Sequence, residues 1–267
     1  MTYNFEEICK KTIDIAKKTG KFIREERNKL KNSQVEVKGI HNFVTYVDKT
    51  AEQQIVDGLI SLIPEAGFIV EEETITKTGE KYNWIIDPLD GTTNYIHGLS
   101  PFAVSIGLQE NDKIILGVIY EISLDECFYA WKGSKAYLNG KEISVTQTDK
   151  VKDSLIATGF PYYDYHLLDK FVISIRYFME NSHGLRRIGS AATDLAYVAC
   201  GRFEAFYEYS LNPWDVAAGA FLVERAGGKV SDFEGGNNYL FGKEIIATNS
   251  DVYDEFFEIV NKIIYKN

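Results

Sequence analysis

The sequence predicts a mixed α+β fold on three observations. Apolar residues recur at helical spacing at both ends of the chain, as Phe5, Ile8, Cys9, Ile13, Ala16 and Ile23 and again as Val252, Phe256, Val260 and Ile263. Over residues 102–145 the pattern changes to short runs of Val, Ile, Tyr and Phe separated by QENDK, SLDE and LNGK turns, as in an antiparallel meander. An apolar fraction of 45% in 267 residues suffices for a substantial core, in one large domain or two intimate ones.

The elements follow in order. After the first helix, a second is expected over residues 49–63, with Asp48 placed to cap its free amides and Pro64 and Gly67 to stop it. Gly67–Val70 has strand character, and Trp84, Ile85 and Ile86 read as the end of a buried strand that Pro88 and Gly91 break. Beyond the meander come a strand over 154–160, helical spacing over 164–180, a short buried helix over 193–200 and a strand over 203–209. An apolar helix over 216–226 is closed by Gly227-Gly228, and a strand over 244–247 leads into the last helix. There is no repeat or Pro/Gly/Ser-rich linker, so any domain boundary, near 145–155, is tight.

Several function classes are set aside at this level. A net charge of −10 without a Lys/Arg-rich tract argues against a nucleic-acid partner. Cys9, Cys127 and Cys200 are scattered and odd in number, which suits reduced core residues rather than a disulfide framework or a zinc site. The four histidines, His41 among them, fall in no ligand spacing, and GxSxG, GxxxxGK[ST] and GxGxxG are absent. Trp84, Trp131 and Trp214 read as core rather than a stacking platform. The charged N-terminus and the lack of an apolar run of about 20 residues lead us to expect a soluble cytoplasmic protein with no membrane partner.

Chemistry concentrates in three acidic stretches. In IIDPLDGTTN, Asp87 and Asp90 flank a turn, so their carboxylates and the Leu89 carbonyl can converge on a hard cation. Gly91 leaves room for close approach, and if a helix begins near Thr92 the amides of Gly91 and Thr92 face an anion with partial positive charge. Taken alone, DPLDG is also ordinary turn composition. Glu71-Glu72-Glu73 follows the apolar Phe68-Ile69-Val70; Glu71, at the strand end, is the ligand candidate and Glu73 reads as solvated. In NPWDVAAG, Asp215 opens an apolar helix and, with Pro213, is equally readable as its cap. Ala217, Ala218 and Gly219 suggest close packing against an element that the sequence does not name.

Together, the acidic stretch after Phe68-Ile69, DPLDGTTNY and NPWDVAAG resemble the inositol monophosphatase family of magnesium-dependent, lithium-sensitive phosphatases. The stretches from Asn42 to Asp48, Gly159-Phe160-Pro161 and Arg187-Ile188-Gly189-Ser190-Ala191-Ala192 fall in the family's order too, so the resemblance covers nearly the whole chain. It implies an α/β layered sandwich of alternating helix and sheet layers, a homodimer, and two to three Mg2+ ions. It also implies an N-terminal metal-binding α+β part over 1–148 and a C-terminal part over 149–267 that completes the site.

The resemblance further implies a role for each matched residue. Glu71, Asp87 and the Leu89 carbonyl would hold one magnesium, and Asp87, Asp90 and Asp215 a second, with Glu71 also reaching a weaker third ion through water. Asp48 and Thr92 would orient and activate the attacking water, so Asp48, Glu71 and Thr92 are the expected catalytic residues. Gly91 and Thr92 would hold phosphate, and Gly189, Ser190, Ala191 and Glu208 would line the place of the alcohol.

The expected reaction is hydrolysis of a small sugar or polyol phosphate monoester, inositol monophosphate first, since the Glu208 carboxylate can accept hydrogen bonds from vicinal hydroxyls. The alternatives are a fructose-1,6-bisphosphatase or a 3'(2'),5'-bisphosphate nucleotidase of the same fold, or a regulatory partner of RNA machinery. Arg186 and Arg187 could hold a second phosphate, but a solvent-exposed or interface ion pair is the favoured reading. The polar stretch 74–82 is expected to be a mobile loop beside the site.

Overall fold

Helix α1 (Phe5–Arg27) buries Ile8, Cys9, Thr12, Ala16, Thr19, Gly20 and Ile23, the stripe that its apolar spacing predicts. The computed structural model describes residues 3–27, 29, 35–39 and 42–266, with 35–45 given by backbone alone; His41 lies outside the described residues. A hairpin of β1 (Val35–Gly39) and β2 (Asn42–Thr45) leads into α2 (Tyr46–Leu59), which lies beside α1.

These two helices cover one face of a seven-stranded sheet of β3 (Gly67–Val70), β4 (Tyr82–Asp90), β5 (Ala103–Glu110), β6 (Lys113–Glu121), β7 (Glu126–Trp131), β8 (Ala136–Leu138) and β9 (Lys141–Ile143), in chain order. Only β3–β4 is parallel; the rest is the expected meander. The short helix α3 (Thr92–Ile96) follows β4.

A second sheet combines β10 (Leu155–Thr158), β11 (Gly184–Arg186), β12 (Ala205–Tyr209), β13 (Lys229–Ser231) and β14 (Glu244–Thr248) in the order β11-β10-β12-β14-β13. Helices α5 (Ala191–Ala199) and α6 (Pro213–Arg225) lie between the sheets, and α4 (Leu168–Asn181) and α7 (Tyr253–Asn261) cover the far side. The result is five alternating layers, helix–sheet–helix–sheet–helix, with three apolar cores between them.

Strand alternation divides the cores. Trp84 and Ile86 of β4 join α1 and α2, whereas Ile85 joins α5 and α6. Gly107 and Gly117 pair across β5 and β6 under Ala217 and Ala218 of α6, so the element that the small residues of NPWDVAAG approach is the first sheet. On the other side of the same helix, a Cβ on Gly219 would stand 2.5 Å from Leu195 of α5. This close seating fixes the height of the α6 N-terminus above the sheet.

The structure corrects some expectations. Strand β4 does not end at Ile86 but runs through Pro88 to Asp90. Asp48 is not the cap of α2: the helix starts two residues earlier, at Tyr46, and stops at Leu59. The 164–180 helix starts only at Leu168. The stretch 74–82 is tied down rather than free, because Lys77 O accepts from Phe68 N at 2.7 Å and Asn83 bonds both backbone groups of Gly79. Trp131 is half-buried and lies parallel to Tyr129 and Tyr137 in a short aromatic stack, and Cys200 is only half-buried. Among the described residues, no helix is long and apolar enough to cross a membrane.

A methyl group on Gly117 would lie 2.7 Å from the Ala218 carbonyl oxygen, a backbone atom that cannot swing away. Gly117→Ala is therefore expected to destabilise the protein by about 1–3 kcal/mol, lowering the melting temperature by roughly 3–10 °C. An unchanged melting temperature would contradict this seating of α6.

Candidate active site

Asp87 and Asp90 are three residues apart, an odd spacing that a regular strand sends to opposite faces. The register resolves this: Asp87 pairs with Ser105 and Asp90 with Ala103, so β4 spends three steps where β5 spends two. One extra residue makes a bulge and returns Asp90 to the face of Asp87, toward α6. Pro88 fits inside the bulge, where no ladder N–H is required, while Leu89 turns into the opposite core and its N–H donates to Asp87 Oδ1 at 2.9 Å.

Glu71 is the next residue after β3, whose last pair with β4 is Val70 with Ile86, so parallel register sets it beside Asp87. Its loop is anchored by Glu52, fully buried in α2, whose carboxylate accepts the N–H groups of Glu72 at 2.7 Å and Thr74 at 2.9 Å. Asp215 stands in the first turn of α6, with Pro213 as the first helical residue, and its Oδ2 accepts the Asn212 N–H at 2.7 Å. The capping reading of Asp215 thus holds for one oxygen. Asp90 Oδ2 is held by Ser190 Oγ at 2.6 Å and by Ala192 N–H at 2.7 Å, at the start of α5.

Thr92 Oγ1 lies 3.3 Å from Oδ1 of the buried Asp48 and 3.0 Å from the Leu89 carbonyl oxygen. Gly91 caps α3 with φ 90°, and a Cβ there would stand 3.0 Å from Pro101 O and 3.3 Å from Gly189 O, so the motif needs glycine for both conformation and space. Asn94 fastens this turn to the neighbouring loop by donating to Pro101 O and Ile188 O, each at 2.8 Å.

One cleft of about 800 Å³, mouth included, collects Glu71, Asp87, Leu89, Asp90 and Asp215 on one side. Gly91, Thr92, Gly189, Ser190, Ala191 and Glu208 line it as well. Every expected catalytic, metal-ligand and substrate residue therefore meets at this cleft, Asp48 through its contact with Thr92. Sequence reasoning missed Asp194 and Tyr162 in its wall, and Glu52 and Asn94 behind it. It also misread Arg187, which is no solvent-exposed ion pair: it lines the cleft and donates to Tyr162 Oη at 2.5 Å. Arg186 is exposed, as expected, and bonds the Leu185 carbonyl. Nothing in the local spacing of Asp194 distinguishes it from an ordinary residue of a helical first turn.

The acids repel one another. Burial, and next the charge of Asp215, holds the Glu71 carboxyl well above its ordinary range. Burial and then Glu71 do the same to Asp87. Burial pushes Asp90 up to about 6 against the opposing hydrogen bonds from Ser190 and Ala192, and burial with the charge of Asp90 pushes Asp215 up to about 7. Among the described residues, no three His, Cys, Asp or Glu side chains close on a single point, so the cluster is open. Its donor set nevertheless fits a hard cation: hard oxygen atoms only, from carboxylates whose charge is otherwise uncompensated and a backbone carbonyl.

An acidic cleft at the end of a bulged strand, set in alternating helix and sheet layers, is the arrangement of a metal-dependent phosphatase, and comparison with known proteins agrees. The model of the inositol monophosphatase family matches residues 4–265. An inositol-1-monophosphatase of Mesorhizobium japonicum is 37% identical over 251 residues, 94% of each chain. The Nus factor SuhB of Escherichia coli is 39% identical over 238 residues, 89% of each chain. Among solved structures, the extragenic suppressor protein suhB of Bartonella henselae superposes with a TM-score of 0.90 at 39% identity, covering 96% of this chain and 99% of that one. The IMPase of Thermotoga maritima does so with 0.86 at 34% identity, covering 95% and 96%. The chain belongs to the inositol monophosphatase family, and so to the magnesium-dependent phosphatase superfamily of hydrolases.

Two outcomes follow. Asp90 and Asp215 have folded-state pKa values near 6 and 7 against about 3.9 unfolded. The folded state thus binds more protons, and without divalent cations stability should fall as pH rises from about 4 to 7. Melting curves should show this decline, and added magnesium should raise the melting temperature more at pH 8 than at pH 5; a flat profile would contradict the cluster. Glu52→Gln leaves one of two amides facing an N–H2 group, so a loss of about 1–3 kcal/mol in denaturant unfolding is expected, with a higher magnesium concentration at half-saturation.

Proposed function

We propose that the protein is a Mg2+-dependent phosphatase that hydrolyses the phosphate monoester of a small polyol, inositol monophosphate first, with water as the nucleophile. The observation that carries this reading is the meeting of four carboxylates, one just after β3, two from β4 and one from α6, with the Asp48–Thr92 pair at one cleft. Glu71, Asp87 and the Leu89 carbonyl would hold one magnesium ion; Asp87, Asp90 and Asp215 would hold a second, and Glu71 a third through water. When bound, magnesium supplies Lewis acidity and charge neutralisation for phosphoryl transfer.

The chain's own residues do the rest. The Thr92 hydroxyl can donate to Asp48 Oδ1 while accepting from a water, which fixes the direction of that water's lone pair and leaves Asp48 to receive its proton. Gly91 and Thr92 form the floor on which the phosphate rests. Glu208, only 7% exposed, accepts hydrogen bonds from hydroxyls of the alcohol; a Cβ on Gly159 would lie 2.0 Å from its carboxylate, so this seat requires glycine.

A second phosphate finds a poorer place. Arg187 faces the cleft, but so do the buried acids Asp194 and Glu208, which compete with a second phosphate for its guanidinium. This favours a monophosphate over fructose 1,6-bisphosphate or a nucleoside bisphosphate. The 39% identity to a protein named Nus factor SuhB supports a second reading, a partner of RNA machinery, which can coexist with catalysis. A variant without turnover that retains its cellular role would reveal it.

Phosphate release from inositol 1-phosphate should require magnesium and fall by about 10²–10³-fold in Asp90→Asn. The two bisphosphates should be slower substrates. A nucleotide preference, or full turnover by Asp90→Asn, would overturn the proposal.

A further inference from the structure

Asp90 is held at the start of α5 by hydroxyl groups in a chain that continues past the residue touching it. Ser190, 2% exposed, brings its Oγ to 2.6 Å from Asp90 Oδ2 and to 2.7 Å from Thr193 Oγ1, and it accepts the Thr193 N–H at 3.3 Å as the cap of α5. Thr193 is fully buried, and among the described residues its hydroxyl has no hydrogen-bond partner besides Ser190. Proton count sets the direction of the chain. A serine hydroxyl has one proton to give and two lone pairs to fill, and an ionised carboxylate only accepts. Ser190 therefore donates to Asp90, and the Thr193 hydroxyl must donate to Ser190. Nothing is left on Ser190 Oγ for a further group, because its proton goes to Asp90 and both lone pairs are filled by Thr193.

The chain ends on the same oxygen that accepts the Ala192 N–H at 2.7 Å, so two donors from one helical turn fix Asp90 Oδ2 and with it the direction of the carboxylate. Buried hydroxyl chains of this kind gain strength because each donor polarises the next. We propose that Ser190 and Thr193 are positioning residues for the cation site: the directed chain from Thr193 through Ser190 aims the Asp90 carboxylate into the cleft, and the Ser190 side chain serves the acidic side rather than the alcohol. The inference rests on the phosphatase reading above, in which Asp90 holds magnesium. It gives Thr193, which is buried behind the cleft and lines no part of it, a share in metal affinity, since groups that orient a ligand tune the metal through it.

The test is isothermal titration calorimetry of the metal-free protein with magnesium chloride, in the absence of any ester. Thr193→Val keeps the shape of the side chain and removes its proton, and it should weaken magnesium binding by roughly 3–10-fold; Ser190→Ala, one bond nearer, should do so by roughly 10–100-fold. Thr193→Ser restores the donor and should bind within about twofold of wild type. Adding Thr193→Val to Ser190→Ala should weaken binding little further, because the chain is already cut. At saturating magnesium, Ser190→Ala should change kcat/KM for inositol 1-phosphate and for phenyl phosphate, an ester without a polyol, by the same factor to within about twofold. Unchanged magnesium affinity in Thr193→Val, a Thr193→Ser variant no better than Thr193→Val, or a Ser190→Ala loss confined to inositol 1-phosphate would overturn the inference while leaving the phosphatase reading standing. A wild type that binds no magnesium would remove both.

Discussion

Asp87 and Asp90 can act together only because β4 carries one residue too many between them. The bulge changes the parity of the strand, and everything at the cleft is arranged around the two carboxylates it sets on one face. Without it, Asp90 would point into the core beneath α1 and α2, where Leu89 now sits. Pro88 belongs to the same device. It would interrupt a regular central strand, but in the bulge its missing N–H leaves no acceptor unserved.

Bringing acids together raises a second problem, which is their mutual repulsion. At an effective dielectric near 20, like charges about 4 Å apart repel by roughly 4 kcal/mol, enough to splay the side chains unless each is fixed by its surroundings. The fold fixes them from separate layers. Asp90 is tied to the start of α5, Asp215 to the Asn212 amide at the start of α6, and the Glu71 loop to the buried Glu52 of α2. The seating of α6 on Gly107 and Gly117 sets how near Asp215 comes to β4. The cluster is thus held in a form poorly suited to its own stability and well suited to a cation, a pattern expected where function overrides stability.

The cleft has two unlike sides. One gathers carboxylates, and the other carries a single guanidinium with two buried acids, Asp194 and Glu208. On the proposed function, this asymmetry would separate the parts of a phosphate monoester, the charged group toward the acidic cluster and the alcohol toward mixed hydrogen-bonding groups. Asn94 keeps the sides in register, since its amide spans the loop after α3 and the loop before α5. A shift of either loop would move Gly91 and Gly189 relative to each other, and a Cβ on Gly91 already has only 3.3 Å to the Gly189 carbonyl oxygen.

Much of this was legible in the chain. Periodicity determined α1 and α7, because each buries one stripe against a neighbouring layer, whereas the meander and α6 were read from apolar runs that are buried on both faces. Motif order pointed to the acids, since Glu71 follows directly on β3, Asp87 and Asp90 stand at the end of the β4 motif beside Pro88 and Gly91, and Asp215 opens a helix. The short edge strands β11 and β13, three residues each, were not legible, because their pairing comes from neighbours and not from their own sequence. The bulge was hidden as well: Pro88 reads as a strand end until a partner strand counts three residues against two. Arg187, Asp194 and Glu52 acquire their roles only through contacts across the layers, and no local spacing encodes a contact between elements distant in sequence. The sequence by itself determined which acids are candidates for the chemistry and which faces are buried; tertiary structure decided which of them share a wall, since side-chain convergence depends on strand register and helix height.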